Sequence, residues 1–320
     1  MTRLRTLLVL AVLLAMTTPL GAAPGRAAES PSFLAFLQEP DPALIAYVPT
    51  GFDPGQPVGG AWPVDRLRAD LAALRPAFDG LVLYAFRPDV TPAILEQAAA
   101  LDYRAVLLGI WDPHSDAEIA GTAALVARWR ERLALAVVIG NEGINDNRYD
   151  LADLARARDR LRALTGLDGT ALPVSTSEPA GDYGWAPLLA FGDFLAPNIH
   201  PAIDQANLAP QAAVAWVHRR AEAIARAGGR PVLVKETGLP NGGREGFSPE
   251  RQAAFWTAWL AAGRLAPPPV FVSFAAAFEA FDAPWKAQAL RDPMEGRWGL
   301  MSAERRPYPA FAAWAAARAR

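Results

Sequence analysis

The chain has 320 residues, 52% hydrophobic and 20% charged, a globular balance with enough apolar material for a large core. A net charge of −2 gives no electrostatic case for nucleic acid or an acidic membrane surface. The absence of cysteine excludes disulfides and thiolate metal sites.

Arg3 and Arg5 precede an apolar run from Leu7 to Met16, and Ala22, Ala23, Ala27 and Ala28 follow. This is the charged, apolar and small-residue order of a secretory signal. The apolar run is short of the roughly 20 residues of a spanning helix, the membrane-anchor alternative. Residues 1–28 are therefore expected to be a signal peptide and residues 29–320 one folded domain. The mature protein is expected to be secreted or periplasmic and free of the membrane.

Eight short apolar runs follow: "ALIAYV" (43–48), "GLVLYAF" (80–86), "AVLLGIW" (105–111), "LALAVVIG" (133–140), "LPVSTS" (172–177), "DFLAPNI" (193–199), "PVLVKE" (231–236) and "VFVSFAA" (270–276). Most are continuous rather than alternating, as in parallel strands covered on both faces. Amphipathic stretches such as "VDRLRADLAALRPAF", "DAEIAGTAALVARWRERL", "DLADLARARDRLRAL", "APQAAVAWVHRRAEAIARAG" and "SPERQAAFWTAWLAAG" lie between them. Several open on Asp or Ser, and "RAGGRP" reads as a glycine stop followed by proline. The pattern predicts an α/β fold, a (β/α)8 TIM barrel in a single domain, with a doubly wound open sheet as the alternative.

In such a barrel the active site lies at the C-terminal ends of the strands. Those ends carry Tyr47, Tyr84, Trp111, Asn141 and Glu142, Glu178, Asn198 and His200, and Glu236, with Glu279, Asp282, Trp285 and Lys286 after the last strand. A glutamate at a strand end is, by itself, most often a solvated loop residue. Glu142 and Glu236 differ because they follow the fourth and seventh strands, on opposite sides of the ring. Two facing carboxyl groups are what glycoside hydrolysis requires. Rim aromatics offer faces to sugar rings, while Asn, Asp and Lys bond hydroxyls. Of 31 basic residues only Lys235 and Lys286 are lysines, and both fall in these segments, which suggests positions that require an ammonium. The sequence holds no nucleophile elbow, P-loop or H-E-x-x-H pair. No metal site and no cofactor are expected.

The segments "GNEGI", "NIHP", "KETGLP" and "FEAFDAPWK…EGRWGL" resemble glycoside hydrolase family 17, the β-1,3-glucanase family, and most of all its bacterial exo-glucanase and transglycosylase branch. The resemblance implies a retaining enzyme with Glu142 as acid/base and Glu236 as nucleophile. It implies that Asn141 contacts the sugar 2-hydroxyl and that Tyr47, Tyr84 and His200 line that sugar's subsite. Glu279, Asp282, Trp285 and Lys286 would form the wall after strand eight. Its partner would be a β-glucan oligo- or polysaccharide, bound by a monomer. Ala202 and Ile203 stand where many bacterial relatives have aromatics, and "AYVPTGFDPGQ" matches loosely. Gly140 and Gly143 are expected to leave room for the sugar ring. A transglycosylase using the same intermediate, a non-catalytic glucan-binding barrel, and a glycosidase for another β-linked polymer are the alternatives.

Overall fold

The computed structural model describes residues 30–53, 62–205, 208–263, 265–266 and 270–319; the expected signal peptide lies outside them. Parallel strands β1 (Leu44–Ala46), β2 (Gly80–Val82), β3 (Ala105–Ile110), β4 (Ala134–Ile139) and β5 (Val174–Ser175) pair in sequence order. After them come β6 (Val232–Leu233), β7 (Leu265–Ala266), β8 (Val272–Ser273) and β9 (Ala276–Ala277). The β8–β9 run closes the ring, because β8 pairs in parallel with β6 and β9 with β1. The result is the expected (β/α)8 barrel.

Seven of the eight expected runs form strands, each shorter than its apolar run, and the sixth takes its place in the ring through isolated bridges. Six consecutive residues of β3 and of β4 are fully covered, as continuous apolar runs demand. The sixth stave makes only single parallel bridges, Leu195 with Val232 and Asn198 with both Pro179 and Glu236. Pro173, Pro197 and Pro231 remove ladder donors around it, which shortens the pairing. β7 was not expected; it runs antiparallel to β8, with Leu265 39% exposed.

The five expected helices form over Val64–Leu74, Asp116–Trp129, Leu151–Thr165, Pro210–Gly228 and Pro249–Ala262. Ser115 and Ser248 cap two of them, and Asp150 with Asp153 makes a reciprocal capping box on a third. Gly229 ends the fourth in the left-handed conformation (φ 58°). Helices Thr91–Ala100 and Pro309–Arg318 complete the outer layer. Phe33 and Phe36 are buried, and Ser32 bridges Leu135 near the start of β4, so the short helix Phe33–Phe36 packs at the bottom of the barrel. Among the described residues no helix is long and apolar enough to cross a membrane.

Candidate active site

The strand ends bring Glu142 and Glu236 into one hydrogen-bonded chain at the barrel mouth. Glu236 follows β6, the seventh stave of the barrel, and is 5% exposed. Its Oε1 accepts from Lys235 Nζ at 2.5 Å, and its Oε2 faces His200 Nε2 at 3.3 Å. Lys235 Nζ also donates to Asn141 Oδ1 at 2.6 Å. Asn198 Nδ2 lies 3.2 Å from that same oxygen and 2.8 Å from Glu142 Oε1. Lys235 is 2% exposed, and such a buried ammonium is tolerated because it is paired and hydrogen-bonded.

The two carboxyls are set in opposite directions. Burial raises Glu142 above the usual carboxylate range, the negative charge of Glu236 adds to this, and the Asn198 bond only partly opposes it. Burial would raise Glu236 too, but the Lys235 ammonium and His200 more than offset it and hold the group well below that range. One carboxyl is therefore inclined to carry a proton and its neighbour to stay ionised.

Most of the other expected residues collect around this chain. The Tyr84 ring lies 4.6 Å from Lys235 Nζ. Burial, then the charge of Glu236, raises its phenol well above the usual value, yet its hydroxyl has no partner at hydrogen-bonding geometry. His200 Nδ1 and Glu279 Oε1 are likewise buried without a partner. The other Glu279 oxygen accepts from Lys286 Nζ at 2.5 Å. The two lysines thus each hold one carboxylate of the mouth. Trp298 and Phe278 pack edge-on against His200, with centroids 5.0 and 5.2 Å away. A cavity of about 270 Å³ shares Glu279 with this cluster and is lined also by Thr50, Phe52, Phe281, Asp282 and Trp285, though not by Glu142 or Glu236.

Two expected residues are engaged within the protein, and one expectation is corrected. The Tyr47 hydroxyl does not face the pair. It donates to Asp70 at 2.9 Å, in a buried knot that also takes Thr50 and Arg305. Asp70 needs those donors because it is fully buried. Both Asp282 oxygens are engaged within the protein, by Asn241 and Gly299 on one side and Tyr308 and Arg297 on the other. Asp282 therefore anchors the loop after β9, and it also lines the cavity beside Trp285. The space over Gly140 and Gly143 is taken by protein: a Cβ at either position would come about 2 Å from the Tyr149 ring or hydroxyl.

Asn198 and Tyr149 were not among the expected site residues. "NIHP" offered a signal for Asn198, next but one to His200. Tyr149 lies beyond the strand end, in an unremarkable stretch of polar residues, and the glycine pair was its only trace.

Residues 45–299 match the family model of the BtgE/BtgC glycoside hydrolase domain. No curated protein matches the chain by sequence. Among solved structures it is similar to the glycoside hydrolase family 17 β-1,3-glucanosyltransferase of Rhizomucor miehei, with 19% identity, 84% of this chain and 96% of that one covered, and a TM-score of 0.66. An active-site mutant of that enzyme has been solved with laminaritriose. An endo-laminarinase from Formosa Hel1_33_131 is similar at 18% identity, over 85% and 86% of the two chains, with a TM-score of 0.67. At these identities the likeness establishes the barrel fold.

Proposed function

The chain belongs to the BtgE/BtgC glycoside hydrolase domain family, and on that premise we propose that it cleaves β-1,3-glucan by double displacement with retention of configuration. The observation that carries this reading is the opposed partnering of the two carboxyls, a buried ammonium and an imidazole on Glu236 against a neutral amide on Glu142, which lowers the one and leaves the other raised. Glu236 attacks the anomeric carbon and forms a C–O bond to it. Glu142 passes its proton to the glycosidic oxygen as the bond to the leaving sugar breaks. Glu142, now ionised, then takes a proton from water, whose oxygen displaces Glu236.

The unpartnered polar atoms of Tyr84, His200 and Glu279 supply hydrogen-bonding groups for sugar hydroxyls, since buried polar groups call for partners. Asn141 and Lys286 edge the same space, and Trp285 offers a half-buried aromatic face. β-1,3-Glucan is chosen as substrate because the sequence motifs resemble family 17 and the fold is shared with a laminarinase and a glucanosyltransferase. Incubation with laminarin tests the reading: Glu236→Ala should abolish turnover, and normal activity in that variant would sink it. Binding without turnover by the wild type would point to a glucan-binding barrel instead.

A transglycosylase outcome is favoured by one feature. Trp111 is 41% exposed, beside the loop that carries Glu142, with the Arg148 guanidinium 4.6 Å from its ring centroid. An open indole there suits an acceptor sugar. Products longer than the starting laminari-oligosaccharide would mean transfer.

The charged, apolar and small-residue order of the first 28 residues supports export from the cytoplasm. A mature amino terminus near residue 29 in the periplasm or medium would agree; an intact Met1 on active cytosolic protein would overturn it. All groups invoked come from one chain, and the enzyme is proposed to act as a monomer.

A further inference from the structure

Glu142 adopts a conformation that side chains other than glycine rarely take, with φ at 57°. The mechanism above gives no reason for the surrounding loop to hold it there. A second buried carboxyl does. Glu178 is fully buried just past β5. Its Oε2 accepts from the Ile144 backbone N–H at 3.3 Å and its Oε1 from the Tyr149 hydroxyl at 3.1 Å. That hydroxyl accepts in turn from the Gly143 N–H at 2.9 Å. The two residues after Glu142 are thus bound, directly or through one phenol, to a single carboxylate.

The same segment holds Glu142 from its other side. The Glu142 N–H donates to Ser177 O at 2.8 Å, and the Asn198 N–H donates to Glu178 O at 3.0 Å. Asn198 then donates its side-chain amide to Glu142 Oε1. Tyr149 is wedged over Gly140 and Gly143, where any Cβ would collide with it. The "G-N-E-G" pattern thus makes room for a tyrosine brace.

We propose that Glu178 and Tyr149 form a buried brace that positions Glu142 for proton transfer, Glu178 being a positioning residue that does not touch substrate. The inference rests on the acid/base assignment of Glu142 above. Burial pushes Glu178 up to about 7, against the bonds from Tyr149 and Ile144, with Asp182 and Glu142 as the nearby like charges. Three donors converge on its carboxyl, the Ile144 N–H, the Tyr149 hydroxyl and, at 3.5 Å, the Thr176 hydroxyl.

Leaving-group dependence separates positioning from general damage. A dinitrophenolate departs without a proton, whereas a sugar alkoxide needs one. In Tyr149→Phe and Glu178→Gln, kcat/KM for laminaritriose should fall about 10-fold or more. For dinitrophenyl β-laminaribioside it should stay within about two-fold. Equal falls on both substrates, or none on either, would overturn the brace. Amide hydrogen exchange tests it without turnover: Gly143 and Ile144 should exchange faster in Tyr149→Phe than in wild type, and unchanged protection would overturn it. If the wild type cleaves neither substrate, the glucanase reading fails, and faster exchange would still support the brace while unchanged exchange would overturn it.

Discussion

The β4 and β6 ends of the barrel carry the same residue type in opposite settings. Glu236 is buried, with a buried ammonium on one oxygen and an imidazole on the other. Glu142 stands on a turned loop, receives one neutral amide on its carboxyl, and feels Glu236 as a like charge. Burial acts upward on both, so their divergence comes from the partners. Glu236 holds the ammonium and the imidazole in direct contact, whereas Glu142 feels the same two groups only at longer range, too weakly to offset its burial. Mutations should expose that asymmetry.

The largest effect belongs to Glu236. Glu236→Ala removes the proposed nucleophile and should cost on the order of 10⁴-fold or more in kcat on laminarin, measured by reducing-end release. Glu142→Gln should cost about 10²–10⁴-fold in kcat/KM on laminaritriose and far less on an activated aryl glycoside. Similar losses for both variants on both substrates would erase the distinction between the two ends.

The pH profile comes next. The proposed mechanism needs Glu236 ionised and Glu142 protonated. It should rise as pH climbs through the depressed pKa of Glu236 and fall through the raised pKa of Glu142, giving an acidic-side optimum in kcat/KM. Lys235→Met removes the largest of the downward influences on Glu236, so the acid limb of that variant should move to higher pH. An unmoved acid limb in folded Lys235→Met would show that Lys235 does not set the nucleophile. Lys235→Arg should not restore it, because the site is shaped around a compact ammonium that is 2% exposed.

The asymmetry also marks what was legible in the sequence. Continuous apolar runs between helical patterns announced the barrel, since a buried parallel strand has to be apolar on both faces. The glutamates were legible because each ends such a run, and the lysines because the chain otherwise uses arginine. The knots were not legible. Asp70 and Tyr47, or Asp282 with Asn241, Gly299, Arg297 and Tyr308, join residues far apart in sequence. Whether a strand-end tyrosine faces the mouth or turns to a buried aspartate depends on a partner no local pattern reveals. The same holds for the link between Glu178, visible only as a strand-end carboxylate, and Tyr149, whose only local trace was a glycine on either side of Asn141-Glu142.

The smallest effect is the most discriminating, because it concerns stability. Glu236 has a folded pKa below its unfolded value. Its ionised form therefore stabilises the fold above the unfolded carboxylate pKa, and that contribution is lost as pH falls toward the folded value. Glu142 has a folded pKa above its unfolded value. Its ionisation costs stability, a cost absent at low pH and fully present once pH exceeds the raised value. Near neutral pH, Glu142→Gln should therefore raise Tm by about 2–4 °C, since an amide keeps an acceptor for Asn198 without the charge. Glu236→Gln should lower Tm, because it leaves Lys235 buried without its anion. Opposite signs in the two melting curves would show that one glutamate is held against the fold's preference and the other with it. Shifts of the same sign would mean that the difference between the two ends is not electrostatic.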